Sequence, residues 1–287
     1  MGKYVIVTES GADIPSDLAA EYEIHIVPMH ISFGQETKDD GTFPAEEVFA
    51  YYDRTRELPK TSGCTLGDFR MAFEDLHRKY PDRHILHLAY SAAITSSYQN
   101  ARIAGKGLDY VTSVDTKFAT AAQGVIVLAV ADYLSKNPDS PLEEVLGVVE
   151  RLRRACNLCF FPGDLTYLKA GGRISNAAYL GAKMLSISPR IEMENGEMVV
   201  KRRYRGSIDK NAVRLLQDFV EEKKLDKRFL ALGDTPGLNP EIRQMVVETA
   251  KKEGFEKIIW LSSGGVISAH GGPGCFGICG FSEEKES

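Results

Sequence analysis

No run of about 18 apolar residues occurs in the chain, so the sequence offers no membrane-spanning helix. Excess positive charge is missing too. Lys and Arg number 35 against 40 Asp and Glu, a formal net charge of −5, which argues against nucleic acid as the main partner. The opening Met1 to Val7 runs straight into an apolar strand without a cleavage site, which predicts no signal peptide and a cytoplasmic protein. Cysteines number only five, an odd count that fits reduced thiols rather than a disulfide framework. Cys156/Cys159 and Cys275/Cys279 stand in apolar runs without nearby His or acidic ligands, so buried thiols are expected there and no metal site. Phosphate loops of the G-x-G-x-x-G type at a strand–helix junction, or G-x-x-x-x-G-K-[ST], are absent, as is the G-x-S-x-G nucleophile elbow. The expectation is a chain with no cofactor and no ATP site of its own.

What is present is a packable, ordinary composition: 287 residues, 43% hydrophobic and 26% charged, enough for two α/β domains. Apolar runs at Tyr4–Thr8, Ile24–Met29, His84–Tyr90 and Tyr110–Val114 read as strands. Helical patterns separate them, from the capping box Thr65-Leu66-Gly67-Asp68, from Ser96-Ser97, from about Phe118 and from Ser140-Pro141. That alternation predicts a parallel sheet flanked by helices over residues 1–158. After Cys159 the texture changes to short helical pieces at Leu165–Ala170 and Ala177–Leu185, then a hairpin signal around Asn195-Gly196. A helix from Ser207, a strand at Phe229–Leu232, a helix opened by Asn239-Pro240 and a strand at Lys257–Ser263 follow. Residues 159–287 are therefore expected to form a second α/β domain with a mixed sheet.

Polar groups gather where strands end. Thr8 and Ser10, Ser91 with Thr95 to Ser97, and Asp115 with Thr116 follow three N-terminal strands, where open parallel sheets bind ligands. Each hydroxyl alone also reads as a helix cap; capping and anion binding use the same free N–H groups. Three loops supply further donors: Lys60-Thr61-Ser62-Gly63, Gly171-Gly172-Arg173-Ile174-Ser175 and His270-Gly271-Gly272-Pro273-Gly274. Arg173 suits bidentate grip of a carboxylate or phosphate, or a surface salt bridge. His270 is a donor or a titrating group. His25, His30, His77, His84 and His87 lie in no partner motif and read as strand or surface histidines. Lys201 to Arg205 is the basic cluster on an acidic chain, a solvated face or a dock for an acidic partner.

Five of these segments, in order, resemble the DegV family of bacterial fatty-acid-binding proteins, which includes the FakB-type subunits of fatty acid kinase. They are Thr8-Glu9-Ser10-Gly11-Ala12-Asp13-Ile14-Pro15; Thr61-Ser62-Gly63-Cys64-Thr65; Ser91-Ala92-Ala93-Ile94-Thr95-Ser96-Ser97-Tyr98-Gln99; Tyr167-Leu168-Lys169-Ala170-Gly171-Gly172-Arg173-Ile174; and His270-Gly271-Gly272-Pro273-Gly274. The resemblance implies a long-chain fatty acid buried in a tunnel between the two domains. Its carboxylate would meet Thr61, Ser62, Ser91 and Ala92, with Arg173 and His270 at the exposed end. It implies further that a separate, dihydroxyacetone-kinase-like fatty acid kinase phosphorylates the bound acid. The acyl phosphate then goes to an acyltransferase for phospholipid synthesis, with the membrane surface as a transient partner. Glu9 stands where the family has Asp, Ala92 lacks an expected hydroxyl, and Gly63-Cys64 replaces Gln-Pro. Ser188 and Arg190 interrupt a K-P-I stretch. Contact at position 92 is then expected through the backbone N–H. A second reading is an acyl or phosphoester hydrolase using Ser91 or Ser62 with His270.

Overall fold

The computed structural model describes residues 2–174 and 187–283; the helix expected at Ala177–Leu185, with Ser175, lies outside them. Two compact units form. The first comprises Met1–His30, Ser62–Arg154 and Asn195–Glu197; the second Ile31–Thr61, Ala155–Glu194 and Met198–Ser287. The sequence had suggested an unbroken first domain over 1–158. Instead Ile31–Thr61 packs with the second unit, because Ile31 and Phe33 are buried there in an aromatic cluster in which Phe33 stands 5.3 Å from both Phe43 and Tyr51.

The strands are β1 (Tyr4–Glu9), β2 (His25–Val27), β3 (His30–Phe33), β4 (Glu36–Asp39), β5 (Lys60–Ser62), β6 (His84–Ala89) and β7 (Val111–Asp115). Next come β8 (Cys156–Phe161), β9 (Ile187–Glu194), β10 (Glu197–Arg205), β11 (Phe229–Asp234), β12 (Lys257–Ser262) and β13 (Phe276–Phe281). In the first unit β2-β1-β6-β7 form a wholly parallel sheet. Its central strands β1 and β6 are buried on both faces, as continuous apolar runs such as Tyr4-Val5-Ile6-Val7 require. Leu86, Leu88, Val127, Val130, Val145 and Val149 fill one side. The strand order reverses between β1 and β6, and in such sheets ligands sit beyond the carboxyl ends at that point. Glu9-Ser10 and Tyr90-Ser91 occupy those ends.

The helix Leu66–Lys79 begins at the capping box expected from sequence: Thr65 Oγ1 accepts from Asp68 N and the Asp68 carboxylate accepts from Thr65 N. Two other helix starts differ in detail. The Ser97–Ala104 helix has its hydroxyl contact from Thr95, not Ser96. Ser140 Oγ pairs with the Tyr133 hydroxyl at 3.0 Å before the Leu142–Ala155 helix.

The second unit carries a six-stranded mixed sheet, β10-β9-β8-β13-β11-β12, in which β8 is antiparallel to β9 and β13, β13 is antiparallel to β11, and β11 and β12 are parallel. Asn195 (φ 52°) and Gly196 (φ 91°) make the expected tight turn between β9 and β10; positive φ at both central residues gives a turn whose twist matches the strands. Phe161, Phe219 and Phe276 are fully buried with Leu215, Leu216 and Leu232, against the helices Ile208–Lys223 and Pro240–Lys252. The excursion Ile31–Thr61 brings β3 and β4, with β5 completing a small sheet β4-β3-β5, and the helix Glu46–Thr55. The sequence had not signalled this sheet: its strands are three or four residues long and largely polar.

Thr65→Ala removes an N-cap hydroxyl from an exposed helix start and is expected to lower stability by about 1 kcal/mol. Urea unfolding of the two proteins, with unchanged slope, checks this; no difference would mean that Asp68 alone organises the turn.

Candidate carboxylate-binding site

In the second unit, Thr61 ends the excursion on β5 and His270 lies in the last turn of the helix Gly265–Gly271. Thr61 Oγ1 and His270 Nε2 are 2.7 Å apart. The other ring nitrogen, Nδ1, is enclosed and has no hydrogen-bond partner among the described residues. Gly171 lies flat against this ring: a Cβ there would fall 2.2 Å from Nδ1, so any side chain at 171 displaces the imidazole. Arg173 follows two residues later, its N–H bonded to Leu168 O at 2.9 Å and its guanidinium to Gly171 O. Gly163 N donates to Gly271 O and the Thr235 hydroxyl donates to Gly272 O, which fixes the end of the helix that carries His270.

Electrostatics set the ring's state. Burial, and then the neighbouring Arg173 cation, lower the His270 pKa to about 4. At neutral pH the imidazole is therefore neutral: one nitrogen donates and the other accepts. Either Thr61 donates to Nε2 and Nδ1 carries the proton, or the reverse. A buried polar nitrogen without a partner is costly, and a ligand oxygen that took or gave a hydrogen bond there would remove that cost.

Ser91 and Ala92 stand in the first unit at the end of β6. Ser91 is fully buried, its N–H bonded to Phe118 O and its hydroxyl donating to Gly196 O at 2.7 Å. The Ala92 N–H, expected to be free for a ligand, is instead 3.3 Å from Asp115 Oδ1, which also accepts from Lys117 N. Ser62 is exposed at the end of β5. The structure therefore assembles Thr61, Arg173 and His270 as one group. In the first unit the Ser91 hydroxyl and Ala92 N–H already have protein partners. A serine nucleophile needs a base accepting its proton; here the Ser91 hydroxyl donates to a backbone carbonyl instead.

Sequence reasoning missed the buried cluster beside Ser91. Glu9 and His87 are both fully buried, with His87 Nε2 3.3 Å from Glu9 Oε1. Glu9 Oε2 accepts from Tyr90 N and from Gln123 Nε2, each at 2.9 Å, and His87 Nδ1 meets Ser113 Oγ at 3.1 Å. His30 likewise pairs with Asp68, and His84 with Thr112. These histidines have partners after all, supplied across strands and loops rather than by local motifs. The register Val7↔His87 puts Glu9, two residues along β1, on the face His87 shares; that register is the signal a sequence reading needed.

A family model described as "Uncharacterised protein, DegV family" matches residues 3–283. The chain belongs to the DegV family. Among its relatives, the Fatty acid-binding protein of Thermotoga maritima is 28% identical, over 96% of this chain and 96% of that protein. Protein DegV of Bacillus subtilis is 25% identical over 96% of this chain and 97% of its own length. Among solved structures, a fatty-acid-binding DegV family protein from Thermus thermophilus superposes with a TM-score of 0.87 at 25% identity, covering 98% of this chain and 99% of that one. The B3 protein of Streptococcus pneumoniae fatty acid kinase, loaded with linoleic acid, shares the fold: TM-score 0.84 at 16% identity, with 98% and 100% of the two chains covered. The two α/β units, one with a parallel and one with a mixed sheet, are thus those of the DegV fold.

Because the folded His270 titrates below its unfolded value, the unfolded chain binds the extra proton first as pH falls. The stability that His270 contributes as a neutral group is present above about pH 6.5 and is lost as pH drops towards 4. NMR titration of the imidazole should give a midpoint near 4, rising modestly in Arg173→Gln, since burial is the larger cause. A midpoint near 6.5 in the wild-type chain would contradict an enclosed ring.

Proposed function

We propose that this chain binds a long-chain fatty acid in a buried tunnel and presents its carboxylate to a partner kinase, acting as a carrier without catalytic residues of its own. The observation that carries the reading is the Thr61–His270 pair with Nδ1 unsatisfied and Arg173 beside it, in a member of a family whose Thermotoga maritima relative is a fatty acid-binding protein. A buried carboxylate needs several donors before leaving water is tolerable. Thr61 and His270, hydrogen-bonded to each other, leave one neutral donor between them, Nδ1–H or the Thr61 hydroxyl according to tautomer; Arg173 supplies charge. Each methylene buried contributes about 0.8 kcal/mol, so the acyl chain provides the bulk of the affinity, while ordering the ligand offsets much of that gain.

The division of labour follows. Thr61, with the neutral His270, anchors the head group. Arg173 faces the phosphoryl oxygens when a carboxylate oxygen attacks the terminal phosphoryl of ATP held by the kinase, a dihydroxyacetone-kinase-like partner in the resemblance, and the bond to the departing ADP breaks. Such donors matter most where charge develops. The acyl phosphate so formed would pass to an acyltransferase.

Protein purified from cells should carry one fatty acid per chain, and native mass spectrometry reads it directly; apo protein that also shows no thermal shift with palmitate or oleate refutes the carrier reading. Thr61→Val keeps the shape and removes the hydroxyl. A hydrogen bond to a charged group contributes roughly 1.5–3 kcal/mol, so the variant should bind oleate about tenfold or more weakly by titration calorimetry. If Thr61→Val melts earlier yet binds equally well, Thr61 only organises its loop. Arg173→Ala should bind oleate nearly as well as wild type but support markedly slower phosphorylation by the kinase; complete loss of binding in a folded variant would make Arg173 an anchor instead.

A further inference from the structure

The helix Gly265–Gly271, which carries His270, begins at Gly264, a residue with no side chain to cap it. The first free N–H groups of the helix are met from elsewhere. Asp40, only 6% exposed, places Oδ1 2.8 Å from Gly265 N and 3.3 Å from Val266 N. A carboxylate there satisfies orphan donors and complements the positive end of the helix dipole. The fit around it is close. A Cβ at Gly264 would stand 3.2 Å from Asp40 Oδ1, and one at Gly265 would stand 2.7 Å from Ile31 Cδ1 and 2.9 Å from Phe43 Cζ.

Asp40 and Thr61 therefore grip the same helix at opposite ends, and both belong to the excursion Ile31–Thr61. Seven helical residues span about 10 Å. Asp40 directly follows β4 and Thr61 sits on β5, and both strands are hydrogen-bonded to β3. The small sheet thus acts as a fixed spacer between the cap and the hydroxyl. A helix that slides or tilts at its capped end carries the imidazole with it, away from Thr61.

We infer that Asp40 is a positioning residue for His270: by capping the helix from the β4 end of the small sheet, it fixes where the imidazole stands against Thr61. The inference rests on the reading of His270 as a carboxylate-binding group, but it concerns the ring's place in the protein alone. It predicts that the hydrogen-bonding geometry of the carboxylate matters and its charge does little, because Asn caps a helix about as well as Asp.

The test uses the full chain without added fatty acid, then with oleate. In Asp40→Ala the His270 titration midpoint should rise towards the ordinary imidazole value of about 6.5, as water reaches a displaced ring. Oleate affinity should fall about tenfold. Asp40→Asn should restore both. An Asp40→Ala protein that is less stable but keeps the wild-type His270 titration and oleate affinity overturns the inference, for it shows a cap without a positioning role. So does an Asp40→Asn protein as impaired as the alanine variant. Where Asp40→Ala does not fold, Asp40→Ser, polar but too short to reach the helix, takes its place: the same upward shift supports the inference and an unchanged titration overturns it. Should the wild-type chain fail to bind oleate while the ring responds as described, the carrier reading fails and the role of Asp40 stands.

Discussion

The hydrogen bond between Thr61 Oγ1 and His270 Nε2 joins positions 209 residues apart, and the candidate site depends on it. It requires that Ile31–Thr61 leave the first unit and pack in the second, and that the Gly265–Gly271 helix end on the excursion's last strand. The ring is neutral at pH 7; an imidazolium could still donate to the hydroxyl but would be held enclosed beside the Arg173 cation. Burial and Arg173 both push towards the neutral form, so the two effects that lower the pKa also keep this hydrogen bond open to either tautomer.

Glu9 answers a similar problem in the first unit by different means. Its carboxylate is fully buried, yet it accepts from Tyr90 N and Gln123 Nε2 and stands beside His87. Multiple donors are what make a buried carboxylate tolerable. Because Tyr90 immediately precedes Ser91, Glu9 also holds the end of β6 in place. The family's Asp at this position is one methylene shorter; the longer Glu9 side chain spans from β1 to the Tyr90 backbone and to Gln123 on the helix Thr120–Lys136.

Much of the fold was legible because it is written in short-range patterns. Continuous apolar runs mark β1, β6 and β12, Thr65 and Asp68 mark a helix start, and Asn195-Gly196 marks a hairpin, each through local chemistry. The small sheet β4-β3-β5 was not legible, because strands such as Glu36-Thr37-Lys38-Asp39 have neither apolar alternation nor length, and only pairing with β3 makes them strands. The site divides the same way. Thr61, Arg173 and His270 stood out as polar residues in glycine-rich or turn-like loops. Asp40 and Glu9 did not, since a carboxylate that accepts backbone N–H groups looks in sequence like any surface acid. Ser91 and Ala92 were placed correctly at a strand end, but their partners, Gly196 O and the Asp115 carboxylate, come from remote segments that no local motif announces.

Under the carrier reading, the neutrality of His270 has a further consequence. A ligand that must be handed on is poorly served by a fully buried ion pair, whose separation leaves an uncompensated charge and costs several kcal/mol. Thr61 and a neutral imidazole hold a carboxylate by dipoles, which cost far less to leave behind when the head group departs. The fixed cation, Arg173, then serves the step in which negative charge grows. Two neutral groups for holding and one charge for reaction is an arrangement consistent with a protein whose affinity resides in apolar surface and whose head-group site must release what it binds.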